Sequence, residues 1–472
     1  MREVDVAIIG AGSAGLTARR EVEKHTKNYV VIDDGILGTT CARVGCMPSK
    51  VLIQVANDFH RRHKFAEQGI QGAENLSIDR KAVMQHVRKL RDRFVRGVTS
   101  GMESWTKEHL IAKRARFLDA NTLDLGDEKI KAKNIIIATG SQPIIPKAWQ
   151  PYQKYFIDTD HFFEMQELPS KIAVIGLGVI GIELGQALHR IGVEVVGFTL
   201  DKAIGGLSDP EIQDYVAHSM EEEFPIHYGP SEIVGEENGK LLVKSGDYIE
   251  QVDAAFLTMG RSPSLQNLNL AATGVKLNDR GMPDIDKNTF VIPGTRIFVA
   301  GDSNGDRPLL HEAADEGRIV GYNAVREELQ CFRRREFLAI TFSDPNIAII
   351  GESYKQLQEK NVDFISGKVS FEGQGRAIVK LKEKGLLHLY VDKKSGELLG
   401  AELFAPDGEH MAHLLAWAMN LKLNVHELLS LPYYHPVVEE GLRTAIRDAA
   451  KKVDKEHSPL EILRCNDPPV GK

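Results

Sequence analysis

Cysteine is scarce in this chain, with four residues in 472. That excludes a disulfide-stapled scaffold and makes the position of each thiol informative. Aromatic residues are only 7% of the sequence, with three tryptophans against 42 glycines; this aliphatic, glycine-rich balance fits an α/β protein. Positive charge is not in excess: 59 Lys and Arg against 66 Asp and Glu leave a net charge of −7, which argues against a nucleic-acid-binding surface. No apolar run approaches the ~20 residues needed to span a bilayer. The chain opens directly on the strand-like Val4-Asp5-Val6-Ala7-Ile8-Ile9, with no signal-peptide pattern ahead of it. These absences point to a cytoplasmic protein, where a close cysteine pair is more often catalytic than structural. The length exceeds what one core can organise, and about three domains are expected.

Two of the four cysteines lie in Cys41-Ala42-Arg43-Val44-Gly45-Cys46-Met47-Pro48-Ser49-Lys50. Four residues including Gly45 separate them, and a short loop of that kind can fold the sulfurs back within disulfide range. Pro48, Lys50 and the apolar Val51-Leu52-Ile53 place Cys46 at or near a helix start. The helix dipole lowers a thiol pKa there and favours thiolate chemistry.

A glycine-rich loop, Gly10-Ala11-Gly12-Ser13-Ala14-Gly15, follows the first strand and precedes Leu16-Thr17-Ala18-Arg19-Arg20. Strand, GxGxxG and helix together make a tight turn, a close approach to pyrophosphate, and a helix N-terminus facing negative charge. A second strand, Tyr29-Val30-Val31-Ile32, ends in Asp33, an acid placed to hold a ribose hydroxyl. The same grammar returns as Lys171-Ile172-Ala173-Val174-Ile175 followed by Gly176-Leu177-Gly178-Val179-Ile180-Gly181. Two loops imply two dinucleotides, most simply a bound flavin and a diffusing nicotinamide. After the second loop, Val193-Glu194-Val195-Val196 leads to Gly197, where an NAD-selecting acid is expected. No arginine cluster stands nearby for a 2′-phosphate, and Lys202 is the one close cation. The balance leans to NAD, with NADP as the alternative.

Ala138-Thr139-Gly140-Ser141-Gln142-Pro143 after Ile135-Ile136-Ile137 reads as a crossing between domains, and Thr295-Arg296-Ile297-Phe298-Val299-Ala300-Gly301-Asp302 as another buried strand ending in an acid. Together they divide the α/β chain into a first Rossmann-like unit over 1–150, resumed at 279–335, a second inserted over 151–278, and an α+β unit over 336–472. In the third unit, strands are expected at Ile347-Ala348-Ile349-Ile350 and Leu386-Leu387-His388-Leu389-Tyr390-Val391, and helices over 409–421 and 437–451. From Asn466-Asp467-Pro468-Pro469 onward the chain reads as a frayed tail.

With these residues assembled, the chain resembles the class I pyridine nucleotide–disulfide oxidoreductases from Gly10 to about Arg447, and within them dihydrolipoamide dehydrogenase most, with glutathione and mercuric reductases as siblings. The most specific element is CxxxxC-x-P-S-K at 41–50; the next is His435-Pro436-Val437-Val438-Glu439-Glu440, similar to the family's H-P-x-x-x-E dyad. The resemblance implies an FAD domain, an inserted NAD(P) domain, a dimerisation domain, and a homodimer in which His435 reaches the other subunit's disulfide. It makes Cys41 the interchange thiol, Cys46 the thiol beside the flavin, and His435 the acid–base oriented by Glu440, with Lys50 and Glu183 paired near the reactive flavin nitrogen. FAD would be held by Gly10, Gly12, Ala14, Gly15, Asp33, Thr40, Lys50, Thr139, Gly140 and Asp302; NAD(P) would be held by Gly176, Gly178, Gly181 and Gly260. No metal is implied.

The sequence departs from the family pattern at four places. Tyr433-Tyr434 replaces the usual histidine before the dyad, Thr39 stands where a second glycine usually precedes Thr40-Cys41, Val437 replaces a threonine, and Gly197 is not an acid. Cys331 and Cys465 stand singly, which disfavours the siblings that need a C-terminal cysteine pair. The alternatives are a glutathione-reductase-like or other NAD(P)H-dependent disulfide or electron-acceptor reductase, and a flavoprotein scaffold, for which the intact dithiol and dyad would have no use.

Overall fold

A computed structural model describes residues 1–454 and 460–471. Strand β1 (Arg2–Ile9), helix α1 (Ser13–Glu23) and strand β2 (Tyr29–Ile32) form its first unit. All four residues of β2 are buried, as a parallel strand covered on both faces requires. β1 lies between β2 and Lys129–Ile137 in a seven-stranded sheet. Ile297–Val299 pairs in parallel with Lys129–Ile137, so a strand from after the second glycine loop completes the first sheet.

Strand β3 (Lys171–Ile175), helix α2 (Val179–Arg190) and strand β4 (Glu194–Thr199) repeat that unit in a separate five-stranded sheet. The strands Ser141–Pro143 and Arg261–Pro263 pair antiparallel where the chain passes between the two sheets. The third unit is a five-stranded antiparallel sheet, in the order Leu338–Thr341, Asn346–Gly351, Leu398–Ala405, Leu386–Asp392, Phe364–Ser370. Against it pack the helices Gly408–Asn420 and Glu440–Ala450, whose buried faces contribute Met411, Leu415, Leu442 and Ile446.

Two sequence expectations need correction here. The last helix begins at Glu440 rather than 437, because the Glu440 carboxylate takes the Val437 N–H from outside the helix. The C-terminal segment is not simply frayed: Val470 packs against the core of the third unit, and Asp467 accepts the Arg464 N–H at 2.6 Å.

Buried polar contacts join the second and third units. Arg190, with 3% of its side chain exposed, bonds Glu223, Asp344 and Asn57. Glu402, fully buried, accepts from the Ser208, Asp209 and Tyr354 N–H groups. Removing one partner from such a network costs about 3–5 kcal/mol, because the other charge is left buried and unpaired. Among the described residues no helix is long and apolar enough to cross a membrane.

Candidate active site

The cysteine pair sits on a helix break. A five-residue helix, Thr40–Val44, carries Cys41; Gly45 interrupts the chain, and a fifteen-residue helix starts at Cys46. Gly45 allows the tight return, since a Cβ there would lie 3.1 Å from the Thr40 carbonyl oxygen. Thr39 caps the short helix with its hydroxyl accepting from the Ala42 N–H, and does so at φ +64°. A β-branched residue in the left-handed region is strained by roughly 1–3 kcal/mol, which gives the physical reason for a glycine in that place.

Both cysteines are thiols in this structure and share a hydrogen bond. The bond with Cys41 brings Cys46 down to about 7; burial opposes this, and the Lys50 charge assists it. Cys41 is pushed up, first by the same hydrogen bond and then by burial. The turn is therefore asymmetric, with Cys46 the thiol that ionises near neutrality.

Lys50 follows Cys46 by one helical turn and joins the second unit. Its Nζ donates to both carboxylate oxygens of Glu183 on α2, at 2.9 and 2.7 Å. Glu183 is 4% exposed, and its Oε1 also accepts the Phe342 N–H at 2.8 Å. The Phe342 ring lies 4.7 Å below the ammonium. All three units thus meet at Lys50 and Glu183, one helical turn along the chain from Cys46. Phe342 was not legible in the sequence, because its contribution is a backbone N–H.

Both glycine loops are built alike. A Cβ on Gly10 would fall 2.2 Å from the Ala138 carbonyl oxygen, and one on Gly15 would fall 1.9 Å from that of Gly10. The second loop repeats this, with Gly176 at 2.7 Å from the Thr258 oxygen and Gly181 at 1.9 Å from the Gly176 oxygen. The middle glycines, Gly12 and Gly178, would meet nothing within 4 Å. The outer glycines let the chain pack on itself, and the middle one leaves room for a pyrophosphate at a helix N-terminus.

The remaining first-loop residues converge on the same end of the sheet. Asp33 accepts the Ala11 N–H at 2.6 Å and the Gly35 N–H at 2.7 Å. Buried Ala14 lies under Gly301, 3.0 Å from where a Cβ there would stand. Thr40 opens the Cys41 helix. Asp302 accepts from the Ser141 hydroxyl at 2.7 Å, and Arg261 donates to that hydroxyl and to the Ser141 carbonyl, both at 2.8 Å. Gly140 holds φ +69° between Thr139 and Ser141. The Thr139 hydroxyl oxygen is buried without a partner in the chain. An orphaned hydroxyl, an open middle glycine and a crowded loop fit a flavin dinucleotide. Ser141 and Arg261 were missed in the sequence; the pairing of their two strands was the only signal.

The second loop opens on a cleft of about 1600 Å³ lined by Gly176, Gly178, Thr199, Gly260 and Asp302 among others. One reading of this site is corrected. β4 does not end near Gly197 but runs through to Thr199. Gly197 is a mid-strand residue, and a Cβ there would press on Leu177 at 3.0 Å and Phe224 at 3.2 Å. Its lack of a carboxylate reflects packing and carries no information about the nucleotide.

His435 lies in the third unit, ahead of the helix Glu440–Ala450. Its ring is 80% exposed, and its Nδ1 lies 3.0 and 3.1 Å from the two Glu440 carboxylate oxygens. Glu440 is held below the usual carboxylate range by that contact. A carboxylate on Nδ1 leaves Nε2 to exchange a proton outward. Among the described residues, no cluster of three or more His, Cys, Asp or Glu could hold a metal.

Known proteins resemble this chain over nearly its whole length. The profile described as pyridine nucleotide-disulphide oxidoreductase matches residues 4–317, and that of its dimerisation domain matches residues 338–446. The chain is 28% identical over 457 residues to the dihydrolipoyl dehydrogenase of Geobacillus stearothermophilus, covering 93% of this chain and 94% of the relative. It is 26% identical over 466 residues to the mercuric reductase of Staphylococcus aureus, covering 96% and 84% respectively. The flavoprotein disulfide reductase RclA of Escherichia coli, solved as a Cu(II) complex, superposes with a TM-score of 0.81 at 22% identity over 95% of this chain and 99% of its own, a likeness of fold.

Proposed function

The chain belongs to the pyridine nucleotide-disulphide oxidoreductases, FAD- and NAD(P)-dependent enzymes of disulfide oxidoreduction, and we propose that it oxidises a dithiol of the dihydrolipoyl kind through Cys41 and Cys46. The observation that carries this reading is the asymmetry of the pair: Cys46 opens the fifteen-residue helix one turn before Lys50, while Cys41 lies on the short helix before it, so the helix start and the lysine charge favour the thiolate of Cys46. In thiol–disulfide exchange the thiol of lower pKa is the better leaving group. When the pair is oxidised, a substrate thiolate attacks the Cys41 sulfur, the Cys41–Cys46 bond breaks, and Cys46 departs as thiolate. The second substrate sulfur then attacks the substrate sulfur of the mixed disulfide, expelling Cys41 and closing the substrate disulfide.

His435 serves as the base for the substrate thiols and, protonated, stabilises the Cys41 thiolate, while Glu440 fixes its tautomer. Its exposure, and the match to a dimerisation domain over residues 338–446, support a homodimer in which the opposite protomer supplies it. Lys50, anchored by Glu183, holds positive charge beside Cys46. Gly12, Asp33, Thr139 and Asp302 would hold FAD, and Gly178, Gly181 and Gly260 would hold NAD(P). When bound, these cofactors supply the two-electron acceptor and the diffusing hydride carrier. We assign 1–150 with 279–335 to the flavin domain, 151–278 to the nicotinamide domain and 336–472 to dimerisation, in a cytoplasmic enzyme.

The test is NAD⁺ reduction by dihydrolipoamide, with wild type and Cys41→Ser side by side. Turnover that vanishes in a variant still binding flavin supports the reading. Full activity in Cys41→Ser refutes the mechanism, and a folded, NAD(P)H-reducible wild type with no turnover refutes the dihydrolipoyl substrate.

A further inference from the structure

The repeated nucleotide-binding units share a register, and their comparison isolates one residue. The Gly10 N–H donates to the Ile32 carbonyl and the Gly176 N–H to the Phe198 carbonyl, each at 2.8 Å. Ile9 pairs with Ile32, as Ile175 pairs with Phe198. The next residue is Asp33 in the first unit and Thr199 in the second. A carboxylate in that place accepts ribose hydroxyls and repels a 2′-phosphate. Asp33 is fixed for such work by its two backbone N–H donors.

Thr199 is uncharged, and its hydroxyl donates to the Asp201 carbonyl at 3.1 Å, inside its own turn. It lines the cleft together with Leu200, Asp201 and Ser231, facing the Gly178 loop. Asp201 lies two residues beyond the place that matches Asp33; it is exposed, and its carboxylate accepts the Ala203 N–H at 2.9 Å. Lys202, the neighbouring cation, is paired with Asp214 at 2.6 Å. The position therefore holds neither a carboxylate to refuse a 2′-phosphate nor a free cation to demand one.

We propose that Thr199 makes the second site indifferent to the ribose 2′-phosphate, so that the protein binds NAD(H) and NADP(H) with similar affinity. This rests on the cleft being the nicotinamide dinucleotide site of the family. It is tested without turnover, by calorimetric titration of the flavin-loaded protein with 5′-AMP and with 2′,5′-ADP. The wild-type dissociation constants are expected within ~10-fold of each other, where tenfold is ~1.4 kcal/mol. Thr199→Asp, which copies Asp33, should weaken 2′,5′-ADP by ~10²-fold by charge repulsion and change 5′-AMP little. Thr199→Val should keep the wild-type ratio, since charge rather than the hydroxyl decides.

A wild-type preference above ~10-fold in either direction overturns the proposal, as does an unchanged ratio in Thr199→Asp. If Thr199→Asp does not fold, the wild-type ratio and Thr199→Val still decide. Failure of both fragments to bind overturns the assignment of the cleft itself. Cys41→Ser should bind both as wild type does, which separates this result from the fate of the dithiol mechanism.

Discussion

Replacing Lys50 with Gln removes the cation one helical turn beyond Cys46 and leaves the buried Glu183 carboxylate uncompensated; replacing Glu183 with Gln does the reverse. Cys46 stands near 7 chiefly through its hydrogen bond with Cys41, which burial opposes; the Lys50 charge then lowers it and the Glu183 charge raises it. Residues one turn apart on a helix have Cβ atoms about 5–6 Å apart. A unit charge at ~6 Å and an effective dielectric of ~20 is worth about 2.8 kcal/mol, or about 2 pK units. Lys50 keeps 32% of its side chain exposed, so solvent screens part of this. We expect Lys50→Gln to raise the Cys46 pKa by ~1 unit, Glu183→Gln to lower it by ~0.5–1 unit, and the double variant to return near wild type. The assay is the pH dependence of iodoacetamide alkylation at Cys46, resolved by mass spectrometry on the reduced protein. Single variants that move Cys46 the same way, or by less than ~0.2 units, refute the argument and leave the Cys41 bond and the helix N-terminus as its sole controls.

Three further outcomes follow from other parts of the site. His435→Gln should lower dithiol turnover by ~10²–10⁴, the range for lost acid–base catalysis, with unchanged thermal stability, since the ring is exposed. Gly12→Ala should fold but release its flavin, because the added methyl meets only open space; Gly15→Ala should also lose thermal stability, because its methyl would overlap the Gly10 carbonyl at 1.9 Å. The two are separated by flavin absorbance and a melting curve. Glu316 is buried and accepts the Gly301 N–H, and burial raises it from 4.5 to about 7; between those values the native state holds a proton that the unfolded chain has released, so Glu316's own contribution to stability is lost as pH rises from 4.5 through 7. Glu316→Gln should flatten that slope in urea titrations at pH 5 and pH 8, and an unchanged slope sinks the assignment.

What the sequence made legible was written locally. The glycine loops, the strands flanking them and the CxxxxC turn each occupy a dozen residues or fewer, and their backbone demands leave visible residue choices. Gly10 and Gly15 must be glycine because carbonyl oxygens occupy the Cβ positions. The helix start at Cys46 was readable for the same reason, from Pro48 and the apolar residues after it. Strand ends are less sharply written. Glu194–Thr199 continues two residues beyond Gly197, and Gly197 is glycine because Leu177 and Phe224 crowd it, which mimicked the end of a strand.

Contacts that complete the site across units left no trace in local sequence. Lys50 and Glu183 are 133 residues apart, and each alone reads as an ordinary charged helix residue; only resemblance joined them. Glu183 tolerates burial because Lys50 and the Phe342 N–H both satisfy it, and the Phe342 N–H comes from the third unit with no requirement on its side chain. The Ser141–Asp302 and Arg261–Ser141 bonds likewise depend on how two crossing strands pair. The chemistry of Cys46 is therefore specified twice: locally, by a helix start and a neighbouring thiol, and globally, by a charge pair that exists only once three units have packed. A variant that disturbs unit packing without touching the turn should therefore change thiol reactivity before it changes the fold of the turn itself.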